Sequence, residues 1–375
     1  MKGHNNMNGV SLFANVGIAE LYLKECGIDI VVANELVDKR ADFYRHIYPE
    51  CEMIQGDITD DKIFNQVVNK SIENNCKFMI ATPPCQGMSV AGRRDYSDPR
   101  NLLILRAIQA IELIKPDYVI IENVIQQLRT VIHVDGYDIS IGDYINKKLG
   151  LIYQINENKV LNTEDYGVPQ SRKRAILLLS KHGKWEFPEK DDRKITLRDA
   201  IGHLPSVEAI IKESNKKDMF KDNDIKIEIA KKCHRWHVPR VHTWRHIEVM
   251  LHTESGQTAF NNEIYYPKKD DGTKVRGYNT TYKRMQWDKP APTITVANGC
   301  ISSQCNVHPG RKNEDGTYSD ARTLTIYELM ILSTIPDNWD IPNWASDNLI
   351  RHVIGEGIPP LLIKKIVENI PKNSS

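Results

Sequence analysis

The sequence contains no apolar run approaching the roughly 18–20 residues that a membrane span needs. Its first residues, Met1 to Asn8, are polar and hold no apolar signal core. Cysteine is sparse: seven residues, an odd number, scattered along the chain. That excludes a disulfide framework as the organising principle and suits a reducing cytosol. Charge of one sign is missing as well. With a formal net charge of +1, no global basic field announces a nucleic-acid binder, and only the local distribution bears on that question. Internal repeats and low-complexity segments are absent. What is present is 375 residues, 41% of them hydrophobic, enough for a full core in one large or two ordinary domains. A soluble intracellular protein is expected.

The first 180 residues alternate short apolar runs with longer amphipathic ones. Val10 to Ala14 reads as a strand, with a helix expected over Ile18 to Cys26. Ile30 to Ala33, Phe78 to Ala81 and Tyr118 to Ile121 read as further strands. Val37 to Ile47 and Leu102 to Ile114 read as helices, and Lys115-Pro116 ends the second of them. Leu151 to Ile155 and Ala175 to Leu179 are expected as later strands. Strands alternating with helices imply parallel pairing and a doubly wound α/β sheet, with a smaller loop-rich domain beside it. That second part begins after Ser180. From Glu208 to Arg284 the pattern turns polar, with 16 Lys/Arg against 11 Asp/Glu and five of the twelve histidines. The expected organisation is therefore residues 1–205, an inserted domain over 206–285, and a return to the scaffold over 286–375. Helices are expected at Thr325 to Ser333, with Thr325 and Glu328 placed as a capping box, and at Pro360 to Asn369.

The chemistry-bearing residues gather at strand ends. Thr82-Pro83-Pro84-Cys85-Gln86-Gly87-Met88-Ser89 follows the Phe78 to Ala81 strand directly. A thiol is thus presented at the carboxyl edge of an open sheet, where ligands bind, and two prolines set its direction. The loop behind it carries Gly87, Gly92, Arg93, Arg94 and Arg100, which suits a lid that meets phosphates. Phe13-Ala14-Asn15-Val16-Gly17 makes a tight turn after the first strand. Glu35 follows 18 residues after Gly17, placed to accept from both hydroxyls of a ribose. Leu36 is placed to pack on an adenine, and Asp57, in Gly56-Asp57-Ile58, to take its amino group. NAD, FAD and S-adenosylmethionine sites share this pattern. The turn has one glycine rather than three, so a phosphate cradle is lacking and the methyl donor is favoured. Glu122-Asn123-Val124 puts a carboxylate at the same edge as Cys85, where burial would let it carry a proton. Arg172 and Arg174, two apart in Gln170-Ser171-Arg172-Lys173-Arg174, point to one side of an extended chain. Cys233, His234, His237, His242 and His246 match no closed four-ligand spacing, so no metal is expected; Cys300 and Cys305 are expected as packed thiols.

In this order the motifs resemble those of DNA (cytosine-5)-methyltransferases of the bacterial restriction-modification type. Phe13 to Gly17, Asn34-Glu35, Gly56 to Ile58, Pro83 to Gln86, Glu122 to Val124, Gln170 to Arg174, Lys289 to Thr295 and Gly355 to Pro360 all find counterparts. The resemblance implies methyl transfer from S-adenosylmethionine to carbon 5 of a flipped cytosine, through a covalent bond from Cys85 to carbon 6. It implies that Cys85, Glu122, Arg172 and Arg174 carry the chemistry. Phe13, Ala14, Asn15, Val16, Gly17, Glu35, Leu36, Asp57, Ile58, Pro84, Leu103 and Glu356 would line the cofactor. Gln86, Ser89, Arg93, Arg94, Gln170, Arg240 and Thr293 would meet double-stranded DNA. A cognate restriction endonuclease, a monomeric state and a cytoplasmic, nucleoid-associated location are further implications. Three departures stand out. The family turn usually reads Phe-Ala-Gly-x-Gly-Gly, where Asn15 and Ile18 replace glycines. Leu36 stands where an aromatic residue often covers the adenine. Glu356 stands where the last motif has asparagine. A tRNA-directed member, or a nucleic-acid binder without turnover, is the competing reading; the Cys-Phe-Thr signature associated with the tRNA branch is lacking.

Overall fold

The computed structural model describes residues 6–84, 103–125, 129–269 and 271–371. Seven strands form one sheet in the order β3-β2-β1-β4-β5-β9-β8. They are β1 Met7–Leu12, β2 Ile28–Glu35, β3 Glu52–Gln55, β4 Phe78–Ala81, β5 Tyr118–Asn123, β8 Gln154–Asn162 and β9 Lys173–Ser180. The first five pair in parallel, and β9 runs antiparallel to both β5 and β8. A hairpin of β6 Val131–Val134 and β7 Tyr137–Ser140 lies outside this sheet, as does the short pair β10 Ile210–Ile211 and β11 Val241–His242.

Side-chain alternation builds two layers. Met79, Ala81, Val119 and Ile121 face one core together with Phe64, Val67, Ile104, Ile108 and Ile145 from α2 Asp61–Glu73, α3 Leu103–Ile114 and α4 Ile141–Leu149. Phe78, Ile80 and Ile120 face the other, against Trp185 and Leu362, Ile363 and Ile366 of α10 Pro360–Val367. α2 begins at Asp60, whose carboxylate caps Lys62 N–H at 2.8 Å. A third cluster joins the turn after β1 (Val16, Ile18) and Phe43 of α1 Asp38–Ile47 to Trp287 and Ile294. From the later chain it takes Leu329 and Met330 of α8 Ile326–Leu332 and Ile350, Val353 and Ile354 of α9 Asp347–Glu356. α8 carries the expected capping box between Thr325 and Glu328.

The smaller unit holds α6 Asn223–Cys233 and α7 Trp244–Leu251, with α5 Leu197–Ile201 at its border. Its apolar core takes Ala209, Ile247, Met250 and Tyr282, and also Ile301, Val307 and Ala321 from farther along the chain. Arg322, 0% exposed, pairs with Asp320 and Glu328 at 2.8 Å each and donates to Val207 O. Arg284 donates to the carbonyls of Met250, His308 and Asp320, and burial lowers its pKa to about 10.

Three sequence expectations give way. The helix over Ile18 to Cys26 is instead two 3₁₀ turns, Ile18–Glu20 and Lys24–Cys26. Cys26 N–H and Gly27 N–H close three-residue turns, and Ile28 N–H already reaches back to Leu23 O to start β2. The strand over Leu151 to Ile155 starts later, at Gln154, because Leu151 sits fully exposed in the turn after α4. Cys300 is exposed rather than packed; Cys305 is half-buried, and burial pushes its thiol up to about 11.

Candidate active site and cofactor pocket

The carboxyl ends of β1, β2, β4 and β5 converge on one edge, and hydrogen bonds between their loops fix its shape. Thr82 Oγ1, just past β4, donates to Phe13 O at 3.0 Å. Asn123, at the end of β5 and buried, donates from Nδ2 to Pro83 O at 2.6 Å and accepts from Val124 N–H. The chain entering Cys85 is therefore tied from both neighbouring strands. Cys85, Gln86, Ser89, Arg93 and Arg94 lie outside the described residues. Thr82 and Asn123 were not singled out from sequence. Their signal was adjacency: each flanks a motif residue.

Glu122 and Arg174 meet across β5 and β9. Glu122 is opposite Ile176, and Arg174 lies two residues away on the same face. Arg174 Nε is 2.9 Å from Glu122 Oε1, with both side chains mostly buried. The carboxylate is held by a guanidinium rather than left in an apolar pocket. Arg172 does not join them. Only 2% exposed, it donates from Nη1 to Ile294 O at 2.9 Å and Gly355 O at 3.0 Å, and from Nη2 to Glu356 O at 2.9 Å. Position 172 precedes β9, so the extended-strand rule that places alternate side chains together does not reach it. Gly355 lies so near this seam that a Cβ there would sit 2.4 Å from Thr295 O.

Two expected DNA contacts are also placed differently. Gln170 is 1% exposed; its Oε1 accepts from Ile294 N–H at 3.1 Å and its Nε2 points to Leu332 O and Ser333. It braces β9 against the 291–295 segment and offers no open surface to DNA. Arg240 is bound to Asn348 and Asp347 at the start of α9, at 2.6 and 3.2 Å. Thr293 is exposed, with Oγ1 donating to Ser171 O.

The turn after β1 is left-handed at three residues, with φ of 60° at Phe13, 50° at Asn15 and 76° at Gly17. Gly17 is required there, since a Cβ would fall 2.3 Å from the Tyr48 ring, whose hydroxyl holds Gly17 O. Glu35, 5% exposed, accepts from Asn15 N–H and Val37 N–H at 2.9 Å each. Leu36 is 57% exposed beside it, and Asp57 is exposed and bonded to Thr59. Ala14, Val16 and Ile58 are buried in the core, so their side chains support the turn. Leu103 opens α3, and Pro84 is half-buried. Glu356, at the end of α9, comes back to this turn: its Oε2 accepts from Asn15 Nδ2 at 3.1 Å and pairs with Arg40 at 2.9 Å. Beneath the turn, burial raises Glu20 to about 7, while Tyr44 donates a hydrogen bond to it.

The five histidines of the smaller unit each have their own partner, His252 stacking on Tyr265. His237 bonds Thr325 and Pro205 O, His242 meets Thr323, His246 meets Tyr282, and His234 stacks on Tyr327.

An open, mostly parallel sheet whose strands end on a tight turn, with an acidic residue closing β2, defines a Rossmann-like α/β fold, and the Glu122–Arg174 pair lies at its ligand-binding edge. The family model for C-5 cytosine-specific DNA methylases matches residues 7–372, and the chain belongs to that family. It is 47% identical to the type II methyltransferase M1.HgaI of Avibacterium volantium over 371 residues, covering 97% of this chain and 98% of the relative. It is 27% identical to the type II methyltransferase M1.HphI of Haemophilus parahaemolyticus, covering 97% and 86%. The Entamoeba histolytica methyltransferase EhMeth superposes with a TM-score of 0.62 at 13% identity, covering 98% of each chain, a likeness of fold.

Proposed function

We propose that this DNA cytosine-5 methyltransferase works through Cys85, Glu122 and Arg174, takes its methyl group from S-adenosylmethionine, and serves a restriction-modification system. The observation that carries the reading is the Glu122–Arg174 pair beside the Pro83-Pro84 segment that Asn123 anchors. The cofactor fits the residues present. Glu35 and an Asn15 Oδ1 that is buried without a partner among the described residues offer acceptors to a donor-bearing ligand. The turn brings no arginine or lysine and one glycine, so nothing there suits a pyrophosphate. When bound, S-adenosylmethionine supplies an electrophilic methyl group.

The chain's own residues do the rest. The Cys85 thiolate adds to carbon 6 of the cytosine, and the ring's electron pair moves to carbon 5, which becomes nucleophilic. Glu122 faces N3 and the 4-amino group, selecting cytosine over thymine, and Arg174 holds Glu122 in that orientation. After methyl transfer, a base removes the carbon-5 proton, the pair re-forms the double bond, and the thiolate leaves. Carbon 6 is shielded in a stacked duplex, so the base flips out. Arg172 and Gln170 act as braces that seat β9 against the 291–295 and 355–356 segments. The smaller unit, centred on residues 206–285, reads the DNA, and Gln86, Ser89, Arg93 and Arg94 are further candidates to meet it. A partner endonuclease, a monomeric state and a cytoplasmic setting complete the reading. M1.HgaI and M1.HphI, both type II methyltransferases, support the restriction-modification part. Among the described residues no helix is long and apolar enough to cross a membrane.

The test is direct. Cys85→Ala is expected to abolish methyl transfer while DNA binding persists, and DNA carrying 5-fluorocytosine is expected to trap a covalent complex with the unaltered enzyme. Turnover by the Ala variant would rule out the thiolate mechanism.

A further inference from the structure

We propose that Asn15 and Glu356 form a latch that sets the cofactor turn, a pairing in which each departure from the family motif compensates the other; it rests on the S-adenosylmethionine reading above. The two residues are 341 positions apart, and each stands where the family's motif has something else. They meet at 3.1 Å, Asn15 Nδ2 donating to Glu356 Oε2.

The chemistry of the pair is asymmetric. A carboxylate only accepts, so it can be met by the Asn15 amide nitrogen alone, which settles which way that amide faces. Asn15 Oδ1 is then left buried with no partner among the described residues, an acceptor available to a donor on the ligand. Asn15 also adopts a φ of 50°, a left-handed conformation that a glycine takes freely and an asparagine takes at a cost. Two hydrogen bonds hold it there: its N–H to Glu35 Oε2, and its side chain to Glu356.

Glu356 is itself fixed from three further directions. Arg40 of α1 is 2.9 Å from its Oε2, and His352 Nε2, one helical turn back, is 3.0 Å from its Oε1. Its backbone carbonyl accepts from Arg172. Glu356 is thus a positioning residue, joining α9 and α1 to the turn after β1. An asparagine at 356 would be shorter and uncharged, and would forfeit the Arg40 ion pair. A glycine at 15 would leave Glu356 facing no amide. Each substitution alone breaks the unit, while both together restore the family's residues at these two facing positions and leave Ile18 as the turn's own remaining departure.

The experiment is a double-substitution cycle on S-adenosylhomocysteine affinity, measured by calorimetry on the full chain with Asn15→Gly, Glu356→Asn and the pair combined. Each single change is expected to weaken Kd about tenfold, and the combined change to recover to within about threefold of the parent. The melting temperature of the ligand-free chain is expected to move little across the set. Combined losses equal to the product of the single losses would overturn the latch and leave the cofactor reading standing. So would single changes that lower the melting temperature and leave Kd unmoved. Absence of binding by the unaltered chain would overturn the cofactor reading, and the latch with it. Glu356→Gln, which keeps an acceptor oxygen for Asn15, is expected to bind more tightly than Glu356→Ala; equal affinities would also overturn the proposal.

Discussion

Glu122 and Arg174 are held by each other before any base arrives, and that pairing sets what a substitution at either does. Arg174→Ala leaves Glu122 without its guanidinium, free to rotate and to draw water. We expect kcat to fall by about 10²–10³-fold, the scale for losing one group that stabilises developing charge. Arg174→Lys recovers little, because a point charge cannot reproduce the Nε contact across β5 and β9. Steady-state methylation rates with melting temperature as control check this. The expected signature is a large loss of rate with a small change in stability. Arg172 belongs to a different class. It looks identical in the sequence, two positions away, yet its guanidinium donates to three carbonyls of the 294 and 355–356 segments. Nothing in a run of alternating arginines tells a site residue from a buried clamp; the distinction lies in where the 294 and 355 carbonyls fold to. Gln170 carries the same lesson.

At the scale of elements, what was legible was local. The β4 strand and the thiol motif after it, the β5 strand with Glu122 one residue before its end, and α8 with its Thr325–Glu328 box all follow from patterns a few residues long. The segment after β1 misleads because apolar spacing at Ile18 and Leu21 suggests a helix. The left-handed Gly17 and the early return at Ile28 leave room only for turns. α2 carried a readable signal in Asp60 followed by Phe64, Val67 and Val68. The ion network of the smaller unit was not readable, since Arg322, Asp320 and Glu328 appear as ordinary surface charges until they are buried together. That network also carries a measurable burden. Arg322→Ala strands Asp320 and Glu328 in the interior, and breaking a buried pair in this way costs about 3–5 kcal/mol. Urea unfolding is expected to show that loss, whereas removal of the exposed Arg45–Asp42 pair is expected to fall within its error.

At the scale of the whole molecule, stability depends on pH through groups that burial has shifted. Burial lowers His242 to about 3 and His308 to about 4, and lowers His237 as well. In the unfolded chain these histidines bind protons below about 6.5, while in the folded chain they do not, so acidification favours unfolding. Glu20, raised to about 7, and Glu208, also raised, act in the opposite direction, because the folded chain holds their protons first. With His252 also lowered, four histidines lose proton affinity on folding against two carboxyls that gain it, so the net effect is a loss of stability as pH falls below about 6.5. Melting temperatures are expected to drop from pH 7.5 to pH 5. A flat profile would mean that the histidines reach solvent. The seam between Asn15 and Glu356 bears on something other than equilibrium. β1 precedes α9 along the chain and 341 positions separate Asn15 from Glu356, so during synthesis the turn we propose as the cofactor's seat waits for α9 before it gains its final side. The proposed seat is in that sense timed by synthesis: a copy that stops short of α9 carries the turn after β1 without the carboxylate that latches it.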